Sequence, residues 1–447
     1  MTEGSITKRL VYFALPLFMG QLLQQLYNVV DSVVVGNVLG KEALAAVSTT
    51  GSLIFLMVGF IMGLFTGGSV IIGKRYGAKD MEGVSVAVHT IIAFAAFMGV
   101  VLTVVGLFFT PVLLRWMGTP DDVMPNSVLY FKIFFMGSIG NVMYAACCGA
   151  FQAVGDSKRP LYYLICSTVT NTILDVLFVK FLGLGIGGAA GATIIAQILS
   201  AVLAFSKLMR VDGPHRIYLS KLVKPDWNVL KKELQIGFPT GIQNSVIAIG
   251  NVVVQSNINA FGSVAMAGSG SYFKLEGFVF LPITCMCMAL TTFTSQNLGA
   301  GNYDRVKKGA RVGTAISVGC AELIGVLVFT LSPYLLRIFS QDADVLAIGT
   351  TQARTESLFY CLLALNHCIA GILRGAGKTT IPMAVMLSSW CLLRITYITI
   401  IVRIIPKVNV IFWAYPLTWS VSAIIFVIYY FKADWIHYFA KQEKSMA

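Results

Sequence analysis

Apolar stretches of about twenty residues recur along the whole chain, separated by short segments rich in Gly, Pro, Asn, Asp, Lys and Arg. At 1.5 Å per residue, one such stretch crosses the roughly 30 Å hydrocarbon core of a bilayer as a single α-helix. Transmembrane β-strands would instead alternate over segments of about ten residues, and these runs do not alternate. Turn and charge signals between the runs predict twelve approximate spans: 10–36, 51–73, 84–109, 127–150, 160–182, 187–208, 232–259, 270–294, 310–333, 350–373, 382–404 and 410–431. The expected fold is an all-α polytopic membrane protein of twelve transmembrane helices. An even count places both termini on one side.

Composition supports the pattern. Of 447 residues, 57% are hydrophobic and 12% charged, with mean hydropathy +0.78. A soluble domain carries about 25% charged residues. The net charge of +13 is mostly a topology signal. Twenty-three Lys and Arg fall on the side shared by the termini, seven of them between Lys207 and Lys232. Only Lys41, Arg115, Lys180, Arg337, Arg403 and Lys407 fall opposite. The positive-inside rule then puts both termini in the cytoplasm, in a cell membrane, and leaves no need for a nucleic-acid partner. All nine cysteines lie inside apolar runs with no C-x-x-C pair or Cys/His ligand spacing, so neither disulfides nor structural zinc are expected. The first apolar run continues into a polar-studded helix, so no separate cleavable signal peptide is expected.

The chain repeats itself. Tyr76-Gly77-Ala78 matches Leu298-Gly299-Ala300, Lys132 matches Arg354, and Gly155 with Pro160 matches Gly377 with Pro382, all at an offset of 222 residues. Pro16 and Asn28 match Pro239 and Asn251 at 223. Six spans per half, an even number, give two lobes of like orientation related by an axis along the membrane normal, with a site expected between them near the midplane. The expected organisation is a first lobe at 1–210, a cytoplasmic linker at 211–230 and a second lobe at 231–447. Duplication of this kind favours an alternating-access carrier.

Charges inside spans are expensive, so each is a functional candidate. Gln21, Gln24, Asn28 and Asp31 form a stripe at helical spacing on the first span. Asp175 follows Asn171 by four residues on the fifth, and Thr193 sits in a Gly/Ala-rich stretch of the sixth. Two carboxylates, an amide oxygen and a hydroxyl are hard ligands suited to Na⁺ or to a shared proton. The bland alternative is capping of each acid by amides or ion pairs, with Thr193 bonding its own backbone. The second half keeps a polar stripe, Asn244, Asn251 and Gln255, but carries Val254 and Tyr397 where the first has Asp31 and Asp175. Its in-span charges are Lys274, Glu276, Glu322 and Arg394. Glu276 could meet a cationic substrate or pair with Arg394. Coupling chemistry is thus expected in the first half and cavity-shaping mainly in the second; the cavity candidates are Gln24 and Asn28 of the first half with Asn244, Asn251, Gln255, Glu276 and Arg394 of the second. Gly371 to Thr379 resembles a phosphate-binding loop, but five residues separate Gly371 from Gly377 and the segment closes a span, so it is expected to be a cytoplasmic turn. No catalytic constellation is present.

Leu15-Pro16, Tyr27 to Asp31, Tyr76-Gly77-Ala78, Asn171 with Asp175, and the Gly/Ala run to Thr193 carry a resemblance to a family. So do Leu281-Pro282, Gln296 to Ala300 with Asp304-Arg305, and Leu373 to Gly377. Together they resemble the multidrug and toxic compound extrusion (MATE) family, within the superfamily that includes lipid-linked oligosaccharide flippases. The resemblance implies export of cationic, amphipathic compounds in exchange for Na⁺ or H⁺, with no cofactor beyond the transported ion, by a monomer in contact with membrane lipids. It implies a cation site at Asp31, Asn171, Asp175 and Thr193, and a bend of the first helix at Pro16. Another branch of the family carries acids on the seventh and tenth helices. None lies between Pro239 and Gln255 here, and Leu363 stands at the tenth-helix position. A lipid-linked sugar flippase is the rival expectation.

Overall fold

The computed structural model describes the backbone of residues 1–39, 41–116 and 123–438, and the side chains among these except 27–53, 55 and 116. The first half comprises α1 (Ile6–Leu39), α2 (Lys41–Gly77), α3 (Met81–Trp116), α4 (Met124–Met136), α5 (Ser138–Ala153), α6 (Lys158–Asp175) and α7 (Gly185–Arg210). A short α8 (Leu219–Leu222) lies in the connection to the second half. That half comprises α9 (Trp227–Asn259), α10 (Ser263–Gly299), α11 (Tyr303–Leu335), α12 (Ala343–Glu356), α13 (Tyr360–Gly375), α14 (Thr380–Met386), α15 (Arg394–Ile404), α16 (Val408–Phe412) and α17 (Ala414–Lys432). Among the described residues nine helical segments are long and apolar enough to cross a bilayer. The pair α4 and α5, bent by 47°, makes a tenth. With α1 and α9 they give the twelve-helix, all-α multi-pass arrangement. Two spans carry π-helical turns, Val176–Phe181 after α6 and Leu387–Leu393 between α14 and α15.

The bend after α4 falls at Gly137, where an added Cβ would come within 2.6 Å of Ile194. Its counterpart at the offset of 222, Phe359, closes the 3₁₀ turn Ser357–Phe359 between α12 and α13. The fourth span of each half therefore breaks at the same place.

The helices gather into two compact units, one of Pro16–Gly237 and one of Met1–Leu15 with Phe238–Ala447. Each boundary cuts a helix, next to Pro16 in α1 and Pro239 in α9, rather than a loop. Within the first unit, close helix contact rests on glycine. Gly106 lies under the Phe135 ring, Gly67 under the Glu233 carbonyl, and Gly140 would place a Cβ 3.0 Å from Ile198. Bilayer helices lack a strong hydrophobic drive to associate, so such small-residue contacts carry much of the packing. Within the second unit, Gly371 and Gly375 lie against the Cys287 and Thr291 carbonyls, at 2.7 and 2.5 Å for an added Cβ. The Met1 amine donates to Gln296 Oε1 at 2.8 Å, and Leu10 is fully buried beside Gly313.

The sequence repeat reappears as a repeat of hydrogen bonds. Asp80 N–H donates to Arg75 O and Met81 N–H to Lys79 O, as Asn302 does to Asn297 and Tyr303 to Gly301. Lys79 and Gly301 both adopt positive φ, 58° and 71°. Gly155 and Gly377, at φ 93° and 75°, close the turns after α5 and α13 with Asp156 N–H bonded to Phe151 O and Lys378 N–H to Leu373 O. Of the stretch Gly371 to Thr379, the first five residues end α13 and Ala376 to Thr379 make such a turn.

Candidate ion and substrate sites

In the first unit the informative helix is α6. Its buried residues are Pro160, Ser167, Asn171 and Asp175, while Tyr162, Val169 and Ile173 are well exposed. A lipid-facing helix that hides its polar side chains and shows its apolar ones has a polar interior face. Asn171 and Asp175 are 3% and 2% exposed, so neither faces lipid. Ser167 Oγ donates to Ala196 O at 2.8 Å, tying α6 to α7. Neither polar atom of the Asn171 amide has a hydrogen-bond partner among the described residues. Immediately after Asp175 the helix widens into its π-turn, a device common at functional sites.

Thr193 Oγ1 donates to Ala189 O at 3.1 Å, the back-bonding that an isolated membrane threonine adopts. Gly20 of α1 faces Leu161 and Leu164 of α6, so the two helices touch four residues beyond Pro16. Asp31 and Asn28, like Tyr27, lie outside the described side chains. Gln24 is exposed and Gln21 half-buried.

The second unit holds a denser polar cluster. Glu356, Tyr272 and Tyr360 are fully buried. Glu356 accepts from the Tyr272 hydroxyl at 3.1 Å and from Gln352 Nε2 at 2.9 Å, and the two tyrosine hydroxyls share a 2.8 Å bond. Arg394, 1% exposed, donates to Asn251 Oδ1 at 3.2 Å and Thr418 Oγ1 at 3.0 Å. Its guanidinium lies 4.4 Å from the Tyr415 ring centroid and 5.7 Å from that of Trp390. The rings supply a cation–π environment, and among the described residues no carboxylate comes within ion-pair distance of Arg394. The expected alternative of a Glu276–Arg394 ion pair is not formed, and Glu276 is half-buried. Gln255 bonds Asn259 within its own helix at 2.8 Å, and Asn244 is half-buried. Lys274 is exposed, with its ammonium 5.9 Å from the Phe339 ring.

Two buried acids escaped sequence reasoning. Glu356 lies inside the tenth span, two turns before Leu363. Its i,i+4 partner Gln352 is the one local signal, and it mimics a solvated span edge. Glu233 sits at the first turns of α9 and is fully buried. Among the described residues no three His, Cys, Asp or Glu converge as a metal site.

The MatE family model matches residues 16–177 and again 239–400, once per half. The chain belongs to the MATE family. It is a membrane transporter and not an enzyme. The chain is 31% identical over 390 residues to the probable multidrug resistance protein YoeA of Bacillus subtilis (strain 168), covering 86% of this chain and 84% of that protein. It is 28% identical to the probable multidrug resistance protein YpnP of the same organism, covering 88% of each. In fold, a MATE structure in a bent conformation aligns with a TM-score of 0.90 at 21% identity, covering 99% of this chain and 98% of that one. A MOP superfamily transporter from Pyrococcus furiosus Vc1, described with a binding pocket of reversed polarity, aligns at 0.89 and 22%, covering 95% of each.

Proposed function

We propose that this MATE transporter is a secondary active exporter of cationic, amphipathic organic compounds, driven by antiport with Na⁺ or H⁺ through alternating access. Its place is the cell membrane, with both termini cytoplasmic. The carrying observation is the buried Asn171 and Asp175 on a helix whose other faces meet lipid. The names of YoeA and YpnP, multidrug resistance proteins, point to the same substrate class. Asp31 enters by arithmetic: α1 and α6 run the same way in the expected topology. Eleven residues lead from Gly20 to Asp31 and eleven from Leu164 to Asp175. In this reading a cation arriving from outside neutralises the carboxylates, α1 bends at Pro16, and substrate is expelled outward. The membrane potential supplies about 2.3 kcal/mol per charge per 100 mV, before any concentration gradient.

A second reading, a flippase for an anionic lipid-linked sugar, is favoured by Arg394, a buried cation among rings that forms no ion pair among the described residues. Uptake of a fluorescent organic cation into everted vesicles, with Na⁺ and H⁺ gradients imposed one at a time, separates the two. Gradient-driven accumulation is expected. Its absence under both gradients overturns the antiport reading.

A further inference from the structure

The connection between the halves, 211–226, is held to the first unit through its backbone. Tyr218 N–H donates to His89 Nε2 at 2.9 Å, and the two rings stack at 8°. Asp226 N–H donates to Thr90 Oγ1 at 3.1 Å, and Ile217 N–H to Leu208 O at 3.0 Å. These ties leave the large apolar side chains outside: Leu219 is 61%, Val223 80% and Trp227 75% exposed. Lys221, Lys224 and Lys231 stand exposed among them. The two carboxylates of this stretch do little to neutralise them. Asp212 is exposed at its start, and Asp226 accepts from the Asn228 and Val229 amides as the cap of α9.

The depth of the linker follows from its anchors. The 36 residues of α3 make a rod of about 54 Å, and a core of about 30 Å takes about twenty of them. A centred α3 therefore has about eight residues beyond the core at each end. His89 and Thr90, its ninth and tenth residues, then stand within two turns of the start of the 84–109 span, toward the end that the expected topology places in the cytoplasm.

We propose that Leu219, Val223 and Trp227 insert into the headgroup boundary of the cytoplasmic leaflet, where Lys221, Lys224 and Lys231 hold anionic phospholipid headgroups. Apolar anchors among lysines at that depth are the composition of an interfacial binding segment. An aqueous surface would charge the full hydration cost of three large exposed apolar groups, whereas the interface accepts them. The linker thereby couples the first unit to the charge of the leaflet.

The test uses the full chain in nanodiscs and the fluorescence that Trp227→Phe removes from the wild-type signal. Brominated phosphatidylglycerol or brominated phosphatidylcholine is supplied at equal fraction. The Trp227 component is expected to be quenched by both, about twofold more by the anionic lipid at low salt, with the preference fading as salt rises. Lys221→Gln, Lys224→Gln and Lys231→Gln together should remove the preference and keep the quenching. An unquenched Trp227 overturns the insertion. Equal quenching by both lipids in the wild type, or a preference that survives the lysine changes, overturns the headgroup assignment.

Discussion

Gly149 and Gly371 occupy equivalent places in the two halves, and so do the residues they touch. An added Cβ at Gly149 would meet Ser69 Oγ at 2.6 Å and the Phe65 carbonyl at 3.7 Å. At Gly371 it would meet the Cys287 carbonyl at 2.7 Å and Thr291 Oγ1 at 3.2 Å, residues 222 positions further on. Buried polarity follows no such rule. Ile54 and Tyr130 belong to an apolar cluster with Val123, Val179 and Ile186. Their counterparts are Glu276 and Gln352, and the counterpart of Phe134 is Glu356. Conversely, Asn171, Asp175 and Thr193 answer to Leu393, Tyr397 and Tyr415. Duplication kept this glycine contact but not the positions of the buried acids, which among the described residues are Asp175 on α6 and Glu233 on α9 in the first unit and Glu356 on α12 in the second.

The largest effect should come from the acid that one half has and the other lacks. Asp175→Asn is expected to reduce gradient-driven export at least ~10-fold, while Tyr397→Phe leaves it near wild type, measured in everted vesicles. Full transport by the Asp175 variant would remove the first lobe from the coupling step.

Next is the exchange of Phe134 for Glu356. Glu356→Leu strands the buried Gln352 amide and takes from the Tyr272 hydroxyl one of its two partners, leaving Tyr360, and should cost about 1–3 kcal/mol in detergent unfolding. Glu356→Gln, which keeps an acceptor for Tyr272, should cost about 1 kcal/mol or less. Equal losses would mean that Glu356 is held by shape rather than by its bonds.

The glycine pair then discriminates rigid from yielding neighbours. Gly371→Ala presses on a backbone carbonyl and should cost about 1–3 kcal/mol. Gly149→Ala presses first on a serine hydroxyl that can rotate, and should cost less in the same unfolding assay.

The smallest effect concerns the linker. His215, buried against Phe151, has its pKa lowered from the model-peptide 6.5, chiefly by burial and then by the charge of Arg159, with Asp156 opposing. A neutral histidine therefore suits the packed linker. Above 6.5 this group adds no penalty. As pH falls below 6.5 the unfolded segment binds the proton first, so packing weakens. Amide protection over 211–218, with exchange rates corrected for their intrinsic pH dependence, should fall from pH 7 to 5, and His215→Phe should lessen that fall, leaving the part due to His89, which accepts the Tyr218 N–H.

Most of the architecture was legible because the bilayer demands it. Apolar runs set the helices, though α3 at Met81–Trp116 outgrew its predicted 84–109, since a helix continues past the hydrocarbon into the interface. The matched turns were legible at Gly155 and Gly377, where positive φ admits little but glycine. Asp175 and Asn171 could be found because a carboxyl in a long apolar run has one cheap orientation, inward. Glu356 could not. It lies near polar residues at the outer part of its span, and only the fold carries Tyr272 to it across 84 positions. Arg394 was visible as a charge, yet its partners, a threonine, an asparagine and two rings, are contributed by three other helical segments.

The π-turn at Val176–Phe181 is a joint in the angular bookkeeping of its span. A widened turn holds one surplus residue, and each residue of an α-helix advances the azimuth by about 100°. The widened turn ends the span at Phe181, so its last residues are out of phase with the stripe ending at Asp175. Deleting one residue there would re-time only this end of the span, so the direction in which Lys180 and Phe181 leave the helix can be retuned independently of Asp175.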